Sequence, residues 1–122
     1  MHAPTCNAGV RSSVLPPRPD ETLAQAVLRL GDAEEIRITQ QPANCRYFTR
    51  RLASIEEPVT ISTCWYTTAT KNRPVGYLVN FGLRRADGRR PEVRAEIDGL
   101  VRRLEEVLSN DYALTVERYE HR

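Results

Sequence analysis

Lysine is nearly missing from this chain: Lys71 is one of 18 basic residues, and the other 17 are arginine. A GC-rich codon bias produces such a ratio by itself, so the information lies in where the arginines stand. No apolar run approaches the ~18 residues of a membrane-crossing helix, which removes a transmembrane segment. Histidine occurs twice, as His2 and His121, each near a chain end where preorganised catalysis has little support. That scarcity argues against serine or cysteine nucleophiles with a histidine base, and against most zinc sites. Glycine is also sparse, and Gly76, Gly82 and Gly88 stand too far apart for either nucleotide-binding fingerprint. Cys6, Cys45 and Cys64 form an odd set without a Cys-x-x-Cys spacing. They read as thiols of a reduced, cytoplasmic protein, with a Cys45–Cys64 bridge as the open alternative.

What the chain does contain suits one domain. Its 122 residues are 40% hydrophobic and 28% charged, with a formal charge of +2. Residues 1–19 are proline-rich, aperiodic and free of acids, and read as an extended arm without regular structure. From Asp20, a good N-cap, Leu23, Val27 and Leu30 recur on one helical face until Gly31, which predicts a helix over 20–30. Ile36 and Ile38 alternate with polar neighbours in a short strand near 34–40, and Tyr47, Phe48 and Leu52 mark a weaker one. Val59, Ile61, Thr63 and Trp65 alternate with Thr60, Ser62, Cys64 and Tyr66, and Tyr77, Val79, Phe81 and Leu83 alternate again. These predict a hairpin of strands 58–67 and 75–85 with a long polar tip. Ala86, Asp87 and Gly88 signal a turn. Pro91 then opens a helix over 91–109, where Val93, Ile97, Leu100, Val101, Leu104 and Leu108 recur at three- and four-residue spacing. Leu114 and Val116 predict a last strand over 112–119, parallel to 75–85 through a right-handed crossover. The fold expected is α+β: one domain over 20–122, element order α-β-β-β-β-α-β. It has a mixed, mainly antiparallel sheet of four to five strands with two helices on one face.

The net charge hides a partition. Residues 71–103 carry nine basic and four acidic side chains, whereas 104–122 carry two and five. Arg84, Arg85, Arg89, Arg90 and Arg94 surround the start of the long helix, an already positive place that an anionic partner would relieve. Lys71 and Arg73 add a basic hairpin tip beside a Thr/Tyr-rich strand face. Arg46, Tyr47, Phe48, Arg50, Arg51 and Tyr66 are the candidate interface residues. The adjacent acids Glu34-Glu35 and Glu56-Glu57 would point to opposite faces of their strands and make no acid/base dyad.

The order of the elements resembles that of small phage tail-terminator and head–tail joining proteins, through segments 77–83, 93–108 and 114–116. The resemblance implies a ring-forming structural subunit without cofactor or catalysis. The expectation is therefore a non-enzymatic docking, inhibitor or assembly protein, bound to a larger protein or to neighbouring subunits. Its place would be the cytoplasm of a bacterial host, or the virion. No cofactor, metal, membrane or small-molecule substrate is expected. The alternative is a nucleic-acid-binding module built on the 84–94 arginines.

Overall fold

The computed structural model describes residues 5–68 and 73–121. In chain order these form β1 (Thr5–Ser12), α1 (Pro19–Leu28), β2 (Ala33–Ile36), β3 (Cys45–Arg50), β4 (Val59–Tyr66) and β5 (Gly76–Arg84). There follow α2 (Arg85–Gly88), α3 (Pro91–Glu106), a π-helical turn (Val107–Asp111) and β6 (Glu117–His121). The six strands make one antiparallel sheet in the order β2-β3-β4-β5-β1-β6, so the chain is a single-domain α+β protein.

The long helix follows its apolar spacing. Val93, Ile97, Leu100, Val101 and Leu104 are all buried on one stripe of α3, and Leu108 continues it into the π-helical turn. Each such side chain contributes about 1.5–3 kcal/mol by leaving water. Leu23 and Val27 of α1, with Leu30 just beyond it, join Phe48, Ile61, Val79 and Phe81 in the same core on one side of the sheet. Strand β3 holds α1 at both ends. Arg46 reaches Asp20 in its first turn at 3.1 Å. Arg50 donates from Nε to the Gly31 carbonyl at 3.0 Å and from Nη2 to the Leu30 carbonyl at 3.3 Å. A cation at the carbonyl end of a helix meets the favourable end of its dipole.

Several boundaries differ from the sequence expectation. The arm is not irregular throughout: Thr5–Ser12 is a strand between β5 and β6, antiparallel to both. It escaped the pattern because only Ala8 and Val10 supply apolar side chains to its core face, and its position depends on strands far along the chain. β5 and β6 do run in one direction, as a crossover requires, but β1 separates them, so the sheet is antiparallel rather than mixed and has six strands. α1 starts at Pro19 after Arg18, which takes φ 51°. Asp20 thus sits inside the first turn and pairs with Arg46 instead of capping. The turn signal at 86–88 lies within the single helical turn α2. Leu114 is buried, but in a link where its N–H donates to the Leu108 carbonyl at 3.0 Å, and β6 begins only at Glu117. Cys45 and Cys64, opposite each other on β3 and β4 with Cα atoms 4.2 Å apart, are disulfide-bonded rather than reduced. That separation belongs to a non-hydrogen-bonded antiparallel pair, where side chains come closest.

Candidate interaction surface

α1 and α3 share one core on one side of the sheet, and α2 lies there too, with Gly88 against Cys6. Among the described residues no helix covers the other side. Cross-strand partners share a face, so the register assigns that open face residue by residue. One row crosses all six strands: Ile36, Tyr47, Ser62, Asn80, Gly9 and Tyr119. None of these carries a formal charge, and all but Gly9 are half-buried. On one side of the row lie the Cys45–Cys64 bridge, Leu78, Arg11 and Glu117, with Tyr66 beyond. On the other lie Glu34, Thr49, Thr60, Gly82 and Asn7.

A polar chain ties β6 across β1 to β5 on this face. The Tyr119 hydroxyl donates to Asn80 Oδ1 at 2.5 Å, and Asn80 Nδ2 donates to Asn7 Oδ1 at 2.9 Å. Gly9 makes room for it, because a Cβ there would lie 3.1 Å from the Tyr119 hydroxyl and collide with the Val79 carbonyl oxygen. Burial pushes the Tyr119 phenol well above its usual range, with Arg11 and Arg73 pulling the other way. It is thus a neutral hydrogen-bond donor at physiological pH. At the same end of the face, Arg11 lies 5.8 Å from the Tyr119 ring centre and Arg73 lies 5.7 Å from that of Tyr66. Arg11 also pairs with Glu117 at 2.5 Å. A groove of about 560 Å³ runs there between Arg11, Tyr66, Arg73, Leu78 and Glu117.

The structure separates the sequence candidates. Tyr47, Tyr66 and Arg73 come together with the open face. Lys71 lies outside the described residues. Phe48 is wholly buried on the helix side, and Arg46 and Arg50 also point there. Arg46 meets Glu35 through two bonds, at 2.9 and 2.5 Å, besides Asp20. The Arg46 hydrogen bonds hold the Glu35 carboxyl below the usual carboxylate range against the opposing effect of burial. Arg51 is exposed just after β3.

The five arginines near the start of α3 are less naked than the sequence suggests. Arg84 meets Glu57 at 3.2 Å and Asp87 at 3.4 Å, Arg90 meets Glu92 at 2.7 Å, and Arg94 meets Glu120 at 3.6 Å. One acid of the tail, Glu120, thus sits beside the basic block. Arg85 and Arg89 are exposed and make no ion pair among the described residues. Beneath α3 and beside β1 and β6, a cleft of about 650 Å³ has Ala8, Ile97 and Val101 inside and Arg94, Asp98 and Arg118 at its rim. Its charged groups are engaged: Arg118 meets Glu105 at 3.3 Å and Asp98 meets Arg102 at 2.9 Å.

Sequence reasoning missed Gly9, Asn7, Asn80, Arg11 and Tyr119. A glycine inside a strand is the usual sign of close approach by another group, but the aperiodic 1–19 segment carries no strand pattern to place Gly9 in. No group of three or more His, Cys, Asp or Glu side chains among the described residues is arranged to hold a metal ion, and no described helix is long and apolar enough to span a membrane. No protein-family model, curated protein or solved structure matches the chain.

Proposed function

We propose that this chain is a non-enzymatic protein-interaction and assembly protein whose docking surface is the helix-free face of its sheet. The observation that carries the reading is the uncharged row centred on Tyr47, Ser62 and Asn80. A sheet face that meets only water is normally polar in alternation with a buried apolar face, whereas tyrosines collect at protein interfaces. Addition of a strand at the sheet edges fits less well. β2 has four residues and carries Glu34 and Glu35, while β6 has five and carries Glu117, Arg118 and Glu120. Short, charged edge strands discourage pairing. The partner on this reading is a larger protein or a neighbouring subunit, with no substrate, cofactor or membrane. Of the two locations the sequence suggests, an assembled particle suits the Cys45–Cys64 bridge better than a reducing cytoplasm.

The test is the size of the chain in a gentle extract of its native source. Wild type is expected in a species well above 13.9 kDa, and Tyr47→Glu is expected to release it as monomer. A monomeric wild type, or a complex indifferent to Tyr47→Glu, overturns the reading. The exposed Arg85 and Arg89 favour a second reading, nucleic-acid binding at the start of α3. A phosphate-dominated contact weakens steeply with salt and is lost in Arg85→Glu with Arg89→Glu. Binding that ignores both salt and this double variant removes the second reading.

A further inference from the structure

Resting on the docking reading of the open sheet face, we infer that its occupant is a second copy of this chain, packed about a two-fold axis that runs along the strands between β3 and β4. An isologous contact brings one patch against itself, so a patch of one charge sign repels its own copy. The centre of this face has no formal charge and holds both donors and acceptors: the Thr49 and Ser62 hydroxyls, the Asn80 amide and the Tyr47 phenol. The axis between β3 and β4 exchanges the neighbours Tyr47 and Ser62, which are opposite each other in register. Each Tyr47 ring then rests over the small Ser62 side chain of the other copy, and each Ile36 over the other copy's Asn80. Large residues thereby meet small ones instead of each other.

The area is sufficient for a weak specific pair. Four strands, β2 to β5, spaced by about 4.8 Å and about 20 Å long, present roughly 400 Å² in projection and about 600 Å² with side-chain relief. Two copies bury about 1,200 Å², the lower bound of specific interfaces, so a concentration-dependent pair is expected. The charged groups stay at the margin of this contact: Glu34 stands on the edge strand β2 and Arg73 lies over the Tyr66 ring at the end of β4, while Arg11 and Glu117 stand on β1 and β6 beyond the covered strands. A nucleic acid finds no cation within that central area.

Sedimentation of the purified full chain from about 1 to about 300 µM reads the proposal, since a reversible pair shows as a mass that climbs with concentration. The mass is expected to rise from 13.9 kDa towards twice that value. Ser62→Arg, which puts a long cation under the facing Tyr47, is expected to weaken the dimer at least tenfold. Thr60→Glu, at an exposed position on the same face, does so without disturbing any buried group and covers the case in which Ser62→Arg fails to fold. Arg102→Glu on the solvent side of α3 leaves the mass unchanged. A chain that stays at 13.9 kDa throughout, or a dimer indifferent to both face variants, overturns the proposal. If the purified chain stays monomeric while the assembly in extract still depends on Tyr47, the second copy is excluded and the docking reading stands. If that assembly ignores Tyr47, the docking reading fails too.

Discussion

Opening the Cys45–Cys64 bridge with a dithiol reductant is the perturbation whose size follows most directly from the chain. The two cysteines are 19 residues apart, on neighbouring strands whose pairing the rest of the sheet also supports. Reduction therefore leaves the native contacts largely in place and chiefly frees the unfolded chain. For a loop of about 20 residues the chain-entropy relation gives about 11 cal/mol/K, or about 3 kcal/mol at 25 °C. A domain of this length unfolds with an entropy of about 0.26 kcal/mol/K near its midpoint, so about 3 kcal/mol corresponds to about 12 °C in Tm. Thermal and urea unfolding of the oxidised and reduced chain, with alkylation to count thiols, supplies the assay. One alkylated thiol, Cys6, is expected in the denatured oxidised protein, and three after reduction. Three reactive thiols without reductant would refute the bridge. A bridged protein losing under about 1 kcal/mol on reduction would refute the entropic argument instead.

Other outcomes follow from single contacts. Glu96 accepts from the Ala53 and Ser54 amides at 2.7 and 2.9 Å and from the Ser54 hydroxyl at 2.6 Å. Burial raises its pKa, but those three donors outweigh burial and leave it lowered. Its folded pKa lies below its unfolded one, so the stabilisation is complete above the ordinary carboxylate range and fades as pH falls through the lowered value. Glu96→Gln is expected to cost about 1–2 kcal/mol at pH 7 in urea unfolding, and the difference from wild type to shrink towards pH 3. Gly9→Ala drives a methyl group into the Val79 carbonyl and is expected to cost about 2–3 kcal/mol, with faster proteolysis of the N-terminal strand. Tyr119→Phe removes the hydroxyl bond to Asn80 and costs about 1 kcal/mol, read as a fall in the urea midpoint. Leu104→Ala empties a fully buried site under α3 and costs about 2–5 kcal/mol in the same measurement.

The elements legible in the sequence were those whose own residues define a face. α3 repeats its apolar positions for four turns, and β4 and β5 alternate without interruption, so the sequence places all three nearly to their ends. β1 is different. Its segment TCNAGVRS offers two apolar side chains to the core, and only pairing with β5 and β6 makes it a strand. The sequence leaves the bridge as one of two readings for a related reason, since the register that sets Cys45 against Cys64 is a property of two strands together. The open face was half legible: Tyr47 and Tyr66 stood out, while Tyr119 acquires its meaning from Gly9 and Asn80 across the sheet. The 84–94 arginines illustrate the converse. A count along the chain found a surplus, but Glu57 and Glu120, remote in sequence, sit beside two of them.

The position of β1 also dictates an order of events. Thr5–Ser12 leaves the ribosome before either of its neighbours: β5 lies some seventy residues later and β6 more than a hundred residues later. Until β6 emerges, one edge of β1 has nothing to pair with, and until β5 emerges it has no place in the sheet. The nascent chain thus carries an unpaired strand edge while the hundred or so residues between β1 and β6 are made. Such long-range closure slows folding and exposes strand edges to other chains. A bulky fusion placed directly before Thr5 therefore burdens the segment that must wait longest.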